Sequence, residues 1–189
     1  MIQEVIVTTR NPSGSAQIAP MGIRRQGDMV VIAPFRPSTT LDNLLGRGCA
    51  VVNYTDDVRV FAGCLTGRYD WPLVDAERID APRLAESLAH AELELADIED
   101  DAQRPRLICR PVRESMHRPF QGFNRAQAAV LELAILVSRL DWLPSDKVEQ
   151  EIEYLRIAID KTAGPREQQA WDWLMTRVWD HRQPRGARP

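Results

Sequence analysis

Ala33-Pro-Phe-Arg-Pro-Ser-Thr-Thr-Leu-Asp-Asn-Leu-Leu45 sets three hydroxyl side chains and a basic one where a strand gives way to a short helix. Residues 28–33 are β-branched and apolar enough for a buried strand, and residues 40–45 are good helix formers that run into Gly46 and Gly48. The first N–H groups of a helix have no acceptor within it, and the positive end of its dipole lies there. An anion such as a phosphate is favoured at that point, with Ser38, Thr39 and Thr40 as added donors. The same residues also suit plain capping, since Thr39 with Asp42 three residues on can form a variant capping box.

The surroundings of this corner read as short strands. Residues 2–9 alternate, Val5 and Val7 against Ile6 and Thr8, and Asn11-Pro-Ser-Gly14 is a turn of the kind that closes a hairpin. A second strand starts near Ala16 and meets Ala19-Pro-Met-Gly22, where proline withholds a donor and glycine permits unusual angles. A break or bulge is expected there. Ile23 to Arg25 and Met29 to Ala33 flank a further hairpin turn, Gln26-Gly27-Asp28, and Cys49 to Asn53 follows the helix as another apolar strand. Many short strands imply a barrel or sandwich.

Taken in order, Val7-Thr-Thr-Arg-Asn-Pro-Ser-Gly14, Ala19-Pro-Met-Gly22, Ser38-Thr-Thr-Leu-Asp-Asn43 and Val51-Val-Asn-Tyr-Thr-Asp-Asp57 resemble the flavin-reductase-like, FMN-binding split barrels. More narrowly, the chain is similar to an uncharacterised branch with an added helical region opened by a Gly-Phe-Asn-Arg-Ala motif, here Gly122 to Ala126. Each motif is loose, and their order and spacing carry the resemblance. It implies an α+β chain, a split β-barrel over residues 1–119 followed by a helical region over 120–181, which caps and periodicity make a C-terminal three-helix bundle. Residues 182–189, basic and with Pro184, Gly186 and Pro189 but almost no apolar residues, read as a disordered tail.

Composition agrees. A chain of 189 residues buries a substantial core, and a formal charge of −3 with mixed signs gives no nucleic-acid footprint. No apolar run is long enough to span a bilayer, and Met1 leads directly into a strand, so a soluble, cytoplasmic protein with no membrane partner is expected. Cys49, Cys64 and Cys109 lie far apart among apolar neighbours and read as packing residues, without metal spacing. His90, His117 and His181 show no Cys or carboxylate partner at ligand spacing, and no nucleophile-elbow or Walker pattern is present.

Residues 58–65 place Val58, Phe61, Ala62 and Leu65 on one helical face, which suits a helix on the barrel mouth, with Asp56 and Asp57 as caps. Residues from Ala89 read as helix or strand. Strand is preferred, paired with residues 106–112 across the polar turn 99–105, because closing a barrel needs further strands. Asn124 is a good N-cap with Gln127 at the capping-box position, and residues 126–140 are apolar on nearly every face, so burial all round is expected. A second helix starts at Pro144 and Ser145 with Val148, Ile152, Leu155 and Ile159 on one stripe. A third starts at Pro165 with Trp171, Leu174, Met175 and Val178 inward.

The resemblance implies bound FMN and a homodimer with flavin at the subunit interface. Ser38, Thr39 and Thr40 would meet the phosphate, with Arg36 adding charge or pointing to solvent, and Asn43 matches the position that fixes phosphate or ribityl chain. Ala19, Pro20, Met21 and Gly22 would offer backbone groups to the ring, and Thr9 and Asn53 lie in segments that line the same site. Arg125, not needed for the cap, is a candidate for an anionic small-molecule substrate. Two function classes follow: an FMN-dependent oxidoreductase, or a non-catalytic protein that holds FMN or another phosphorylated heteroaromatic.

Overall fold

The first strand is buried on both faces from Val5 to Thr9. In the computed structural model, which describes residues 1–183, β1 (Ile2–Arg10) turns Val5 and Val7 into a core shared with Ile23, Val30, Ile32, Val52, Leu93 and Leu107. β1 pairs with β2 (Ala16–Gln26), and β3 (Met29–Ile32), β4 (Cys49–Tyr54), β7 (Ala89–Glu99) and β8 (Arg106–Met116) close the barrel in the order β1-β2-β3-β8-β7-β4. Between β4 and β7 the chain forms a separate two-stranded ribbon, β5 (Leu73–Asp75) with β6 (Pro82–Leu84). Helix α1 (Thr39–Arg47) puts Leu41 and Leu44 into the barrel core.

The chain divides into two compact units. The first joins Met1–Asp56 to Asp70–Phe120, and the second joins Asp57–Tyr69 to the chain from Gln121 onward. The inserted segment carries α2 (Val58–Leu65), whose Val58 and Ala62 belong to the core of the helical unit. The segment expected on the barrel mouth thus packs with the expected three C-terminal helices, α3 (Arg125–Val137), α4 (Ser145–Thr162) and α5 (Pro165–Arg182). Ala126, Val130 and Leu133 of α3, Ile152 and Leu155 of α4, and Trp171 and Leu174 of α5 fill the same core.

Several local expectations hold and several do not. The β7–β8 hairpin forms across the polar turn, with register shifts at Glu92/Leu93 and Leu95/Asp97. Asp57 caps α2 and Asn124 caps α3, accepting from the N–H groups of Ala126 and Gln127. Gln127 does not complete a capping box, because its side chain donates to Glu167 of α5 at 3.2 Å. The cap of α1 is Ser38, one residue before the expected Thr39, with Oγ accepting from the N–H of Leu41 at 3.4 Å. α3 is not buried all round: Leu131, Ile135 and Leu136 are half-buried and Ala128 and Glu132 exposed.

The expected break in β2 is absent. Its register with β1 runs unbroken from Ile2↔Arg24 to Arg10↔Ala16, with Pro20 opposite Ile6. Proline is tolerated because, among the described residues, β3 pairs only with Ile23 to Gln26 and no strand pairs with the other edge of β2 at Ala19 to Gly22. A missing N–H on that edge interrupts no ladder. Arg182 ends α5, and residues 184–189 of the expected tail lie outside the described residues.

Candidate functional site

Helix α1 begins with unused donors. The N–H groups of Thr39 and Thr40 precede the first intrahelical bond, from Asp42 N–H to Ser38 C=O at 3.0 Å, and have no acceptor among the described residues. Thr40 is 1% exposed as a residue, but its hydroxyl, which makes no hydrogen bond among the described residues, is not an enclosed atom; Ser38 is half-buried and Thr39 exposed. The helix N-terminus and the hydroxyls of Ser38, Thr39 and Thr40 form a donor set that fits an anion.

Behind this corner lies a polar chain. Asn43, 4% exposed, donates from Nδ2 to Thr9 Oγ1 at 2.9 Å and to Asn11 Oδ1 at 2.9 Å, and Asn11 donates to Ser15 Oγ at 2.8 Å. Thr9, Asn43 and the β1–β2 turn are thus brought together beside α1. Both donors of the Asn43 amide are consumed, which leaves its carbonyl as an acceptor. Ala19, Pro20, Met21 and Gly22 are half-buried on the open stretch of β2, and a Cβ at Gly22 would meet Cγ2 of Ile2 at 2.8 Å. The backbone groups expected there from a bulge come instead from an unpaired strand edge.

The remaining candidates are drawn elsewhere. Asn53, fully buried, donates to Ile6 C=O at 3.1 Å and Thr8 Oγ1 at 3.0 Å and accepts from Leu84 N–H at 2.7 Å, so it fastens the β5–β6 ribbon to the barrel. Arg36 pairs with Asp100 at 2.7 Å and its Nε donates to Asp101 C=O, so its charge is spent on the β7–β8 turn. Arg47 pairs with Asp80 at 2.5 Å, and Arg10 with Asp75 at 2.5 Å and Asp80 at 2.8 Å. Arg125 is exposed in a groove of about 320 Å³ in the helical unit, lined also by Ala129, Glu132, Tyr154 and Leu155. Burial pushes the thiols of Cys64 and Cys109 up to about 12, which keeps them protonated.

One cluster was missed. His90 Nε2 lies 3.2 Å from Glu92 Oε1, and His90 Nδ1 lies 2.9 Å from His117 Nε2, with the two rings parallel. Spacing rules for metal ligands gave His90 no carboxylate partner. Once residue 89 onward is read as a strand, however, positions 90 and 92 share a face, opposite to that of the core residues Ala91 and Leu93. Burial opposes the charge of Glu92, but the N–H groups of Glu77 and Arg78 and the bond from His90 outweigh it and hold the carboxyl below its ordinary value. Among the described residues no group of three or more His, Cys, Asp and Glu is arranged to hold a metal ion, and no helix is long and apolar enough to cross a membrane.

Comparison with known proteins places this geometry in a family. An FMN-bound protein of Methanosarcina mazei, assigned to the family of unknown function DUF447, superposes over 93% of this chain and 94% of its own with a TM-score of 0.79 at 22% identity. The 2-nitrobenzoate 2-nitroreductase of Pseudomonas fluorescens superposes over 60% of this chain and 64% of its own, with a TM-score of 0.54 at 25% identity. The flavoredoxin of Desulfovibrio vulgaris (Miyazaki F) covers 61% of this chain and 70% of its own, with a TM-score of 0.53 at 16% identity. No curated protein matches the sequence. The fold is that of the FMN-binding split barrels. The model of the N-terminal domain of the protein family of unknown function DUF447 matches residues 3–118, and the family's second model matches residues 124–176. The chain therefore belongs to the DUF447 family.

Proposed function

We propose that this protein is an FMN-dependent oxidoreductase whose barrel unit holds the cofactor while an unidentified small molecule exchanges a hydride with it. The observation that carries this reading is the donor set at the start of α1, where the Thr40 hydroxyl and the Thr39 and Thr40 N–H groups make no hydrogen bond among the described residues. A phosphate dianion satisfies such a set. The FMN-bound protein of Methanosarcina mazei, in the same family, supports the choice of ligand.

FMN, when bound, supplies the hydride chemistry, and the chain supplies binding and orientation. Ser38, Thr39 and Thr40 donate to the phosphate. Asn43, with both amide donors held by Thr9 and Asn11, accepts from a ribityl hydroxyl. The open edge at Ala19 to Gly22 presents N–H and C=O groups to the polar rim of the ring. Thr9 acts by orienting Asn43 and Asn53 by fixing the ribbon, one step removed from the ligand. Arg125, with no carboxylate at ion-pair distance among the described residues, is assigned to an anionic substrate, and the assembly is assigned as a cytoplasmic homodimer.

A second reading, a protein that holds FMN without turning it over, is favoured by one observation: Arg10, Arg36 and Arg47 around the corner are all committed to ion pairs within the chain, which leaves none of the three to draw in an anionic co-substrate. One experiment separates the two. The purified chain is loaded with FMN, freed of excess ligand by sizing, and titrated anaerobically with NADH, NADPH and dithionite. Retained flavin bleached by a pyridine nucleotide supports the oxidoreductase. Retained flavin bleached by dithionite alone supports the holding protein, and a chain that retains no flavin overturns both.

A further inference from the structure

The His90–Glu92–His117 cluster runs from buried barrel wall to solvent. Glu92 is fully buried and His90 1% exposed, while His117 is exposed. Glu92 accepts from the backbone N–H of Glu77 at 2.9 Å and of Arg78 at 2.6 Å, so it is ionised, and His90 Nε2 must donate to it. A neutral His90 then has only a lone pair on Nδ1, which requires that His117 donate from Nε2 across the 2.9 Å contact. One added proton is accommodated, because an imidazolium still donates to the lone pair of its neighbour. Two added protons put N–H groups face to face, and the contact cannot survive.

We propose that His90 and His117 form a two-proton latch, closed with no added proton or one and opened by the second, which frees the end of β8 from the barrel. The element it secures is short. The N–H groups of His117 and Arg118 both donate to Leu88 C=O, at 2.7 and 3.0 Å, just beyond the last strand residue Met116. Charge around the pair comes from every packed element: Glu77 and Arg78 before β6, Arg83 on β6, Glu92 on β7, Arg113 on β8, and Arg118 after it. Arg113 pairs with Glu77 at 2.8 Å and lies 3.9 Å from Glu92, and the Arg118 guanidinium donates to Glu86 C=O. Burial, Arg83, Arg113 and Arg118 oppose a proton on His117. The inference uses no bound flavin and is independent of the function proposed above.

The test is nitrogen-15 NMR of the imidazoles in the full chain, with amide exchange measured across the same pH range. The latch requires both neutral rings to carry hydrogen on Nε2. It also requires stepwise titration of the pair, and at least a tenfold loss of protection at His117 and Arg118 with the second proton while Leu107 and Cys109 in β8 are unchanged. In His117→Phe the pH dependence at Arg118 disappears. A neutral His117 carrying hydrogen on Nδ1, or unchanged protection through the second step, overturns the latch, and the wild-type spectra decide even where the variant does not fold.

Discussion

Asn43 Nδ2 lies 2.9 Å from Thr9 Oγ1, a buried bond that ties helix α1 to strand β1 across 34 positions of sequence. The same amide reaches Asn11, so one side chain fixes the helix, the strand and the β1–β2 turn around the candidate phosphate corner. Replacing it therefore separates support from binding.

Asn43→Leu leaves the Thr9 hydroxyl and the Asn11 carbonyl without their donor and is expected to destabilise the barrel by about 1–3 kcal/mol. Chemical denaturation checks the figure. Thr40→Val, which removes a hydroxyl that has no partner among the described residues, should leave the midpoint unchanged or slightly raised. Equal losses for the two variants would contradict the assignment of support to Asn43.

Glu92→Gln keeps the volume but turns an amide NH2 toward one of the two backbone N–H groups that the carboxylate now accepts. The expected loss is about 3 kcal/mol, that of a buried charge-assisted network broken at one member. Limited proteolysis should then cut near residues 76–79, where wild type resists.

Stability should fall with acid in two stages. His117 is held below the ordinary histidine value of 6.5, first by burial and then by Arg83, His90, Arg113 and Arg118. The unfolded chain binds its proton first, so the contribution is fully present above 6.5 and is lost as pH falls through the lowered folded value. Glu92, held below its ordinary 4.5, behaves likewise at lower pH, where protonation of the unfolded chain precedes that of the folded one. Denaturation midpoints across this range check the sign, and a midpoint that rises on acidification would refute it. His117→Phe should remove the upper stage alone.

Gly48 ends α1 at φ +70, with its N–H donating to Leu44 C=O at 2.9 Å and nothing within 4 Å of an added Cβ. Gly48→Ala thus meets backbone strain without a clash and should cost about 1 kcal/mol by thermal unfolding.

Most of the barrel was legible because short β-branched and apolar runs bounded by turn residues mark buried strands, and Val5 to Thr8 is buried on both faces. Pro20 misled because a donor missing from an open edge and one missing from a paired edge look the same in sequence, and only the length of β3 distinguishes them. The face of α2 was read correctly, yet no periodicity names the partner that covers it, and contact with α3 and α5 assigns it to the helical unit. The strand-to-helix corner at Ser38, Thr39 and Thr40 was legible from local composition. The commitment of Asn53 to Leu84, and of Arg36 to Asp100, depends on segments 31 and 64 positions away and left no local trace.

The central claim is that α1 opens on a phosphate site, and the most direct measurement compares FMN with riboflavin, which lacks only the phosphate, by equilibrium titration of wild type and Thr40→Val. FMN should bind wild type at least about tenfold more tightly, a difference of roughly 1.4 kcal/mol, and the variant should lose most of that preference while riboflavin affinity stays the same. Equal affinity of the wild type for FMN and riboflavin would contradict the account.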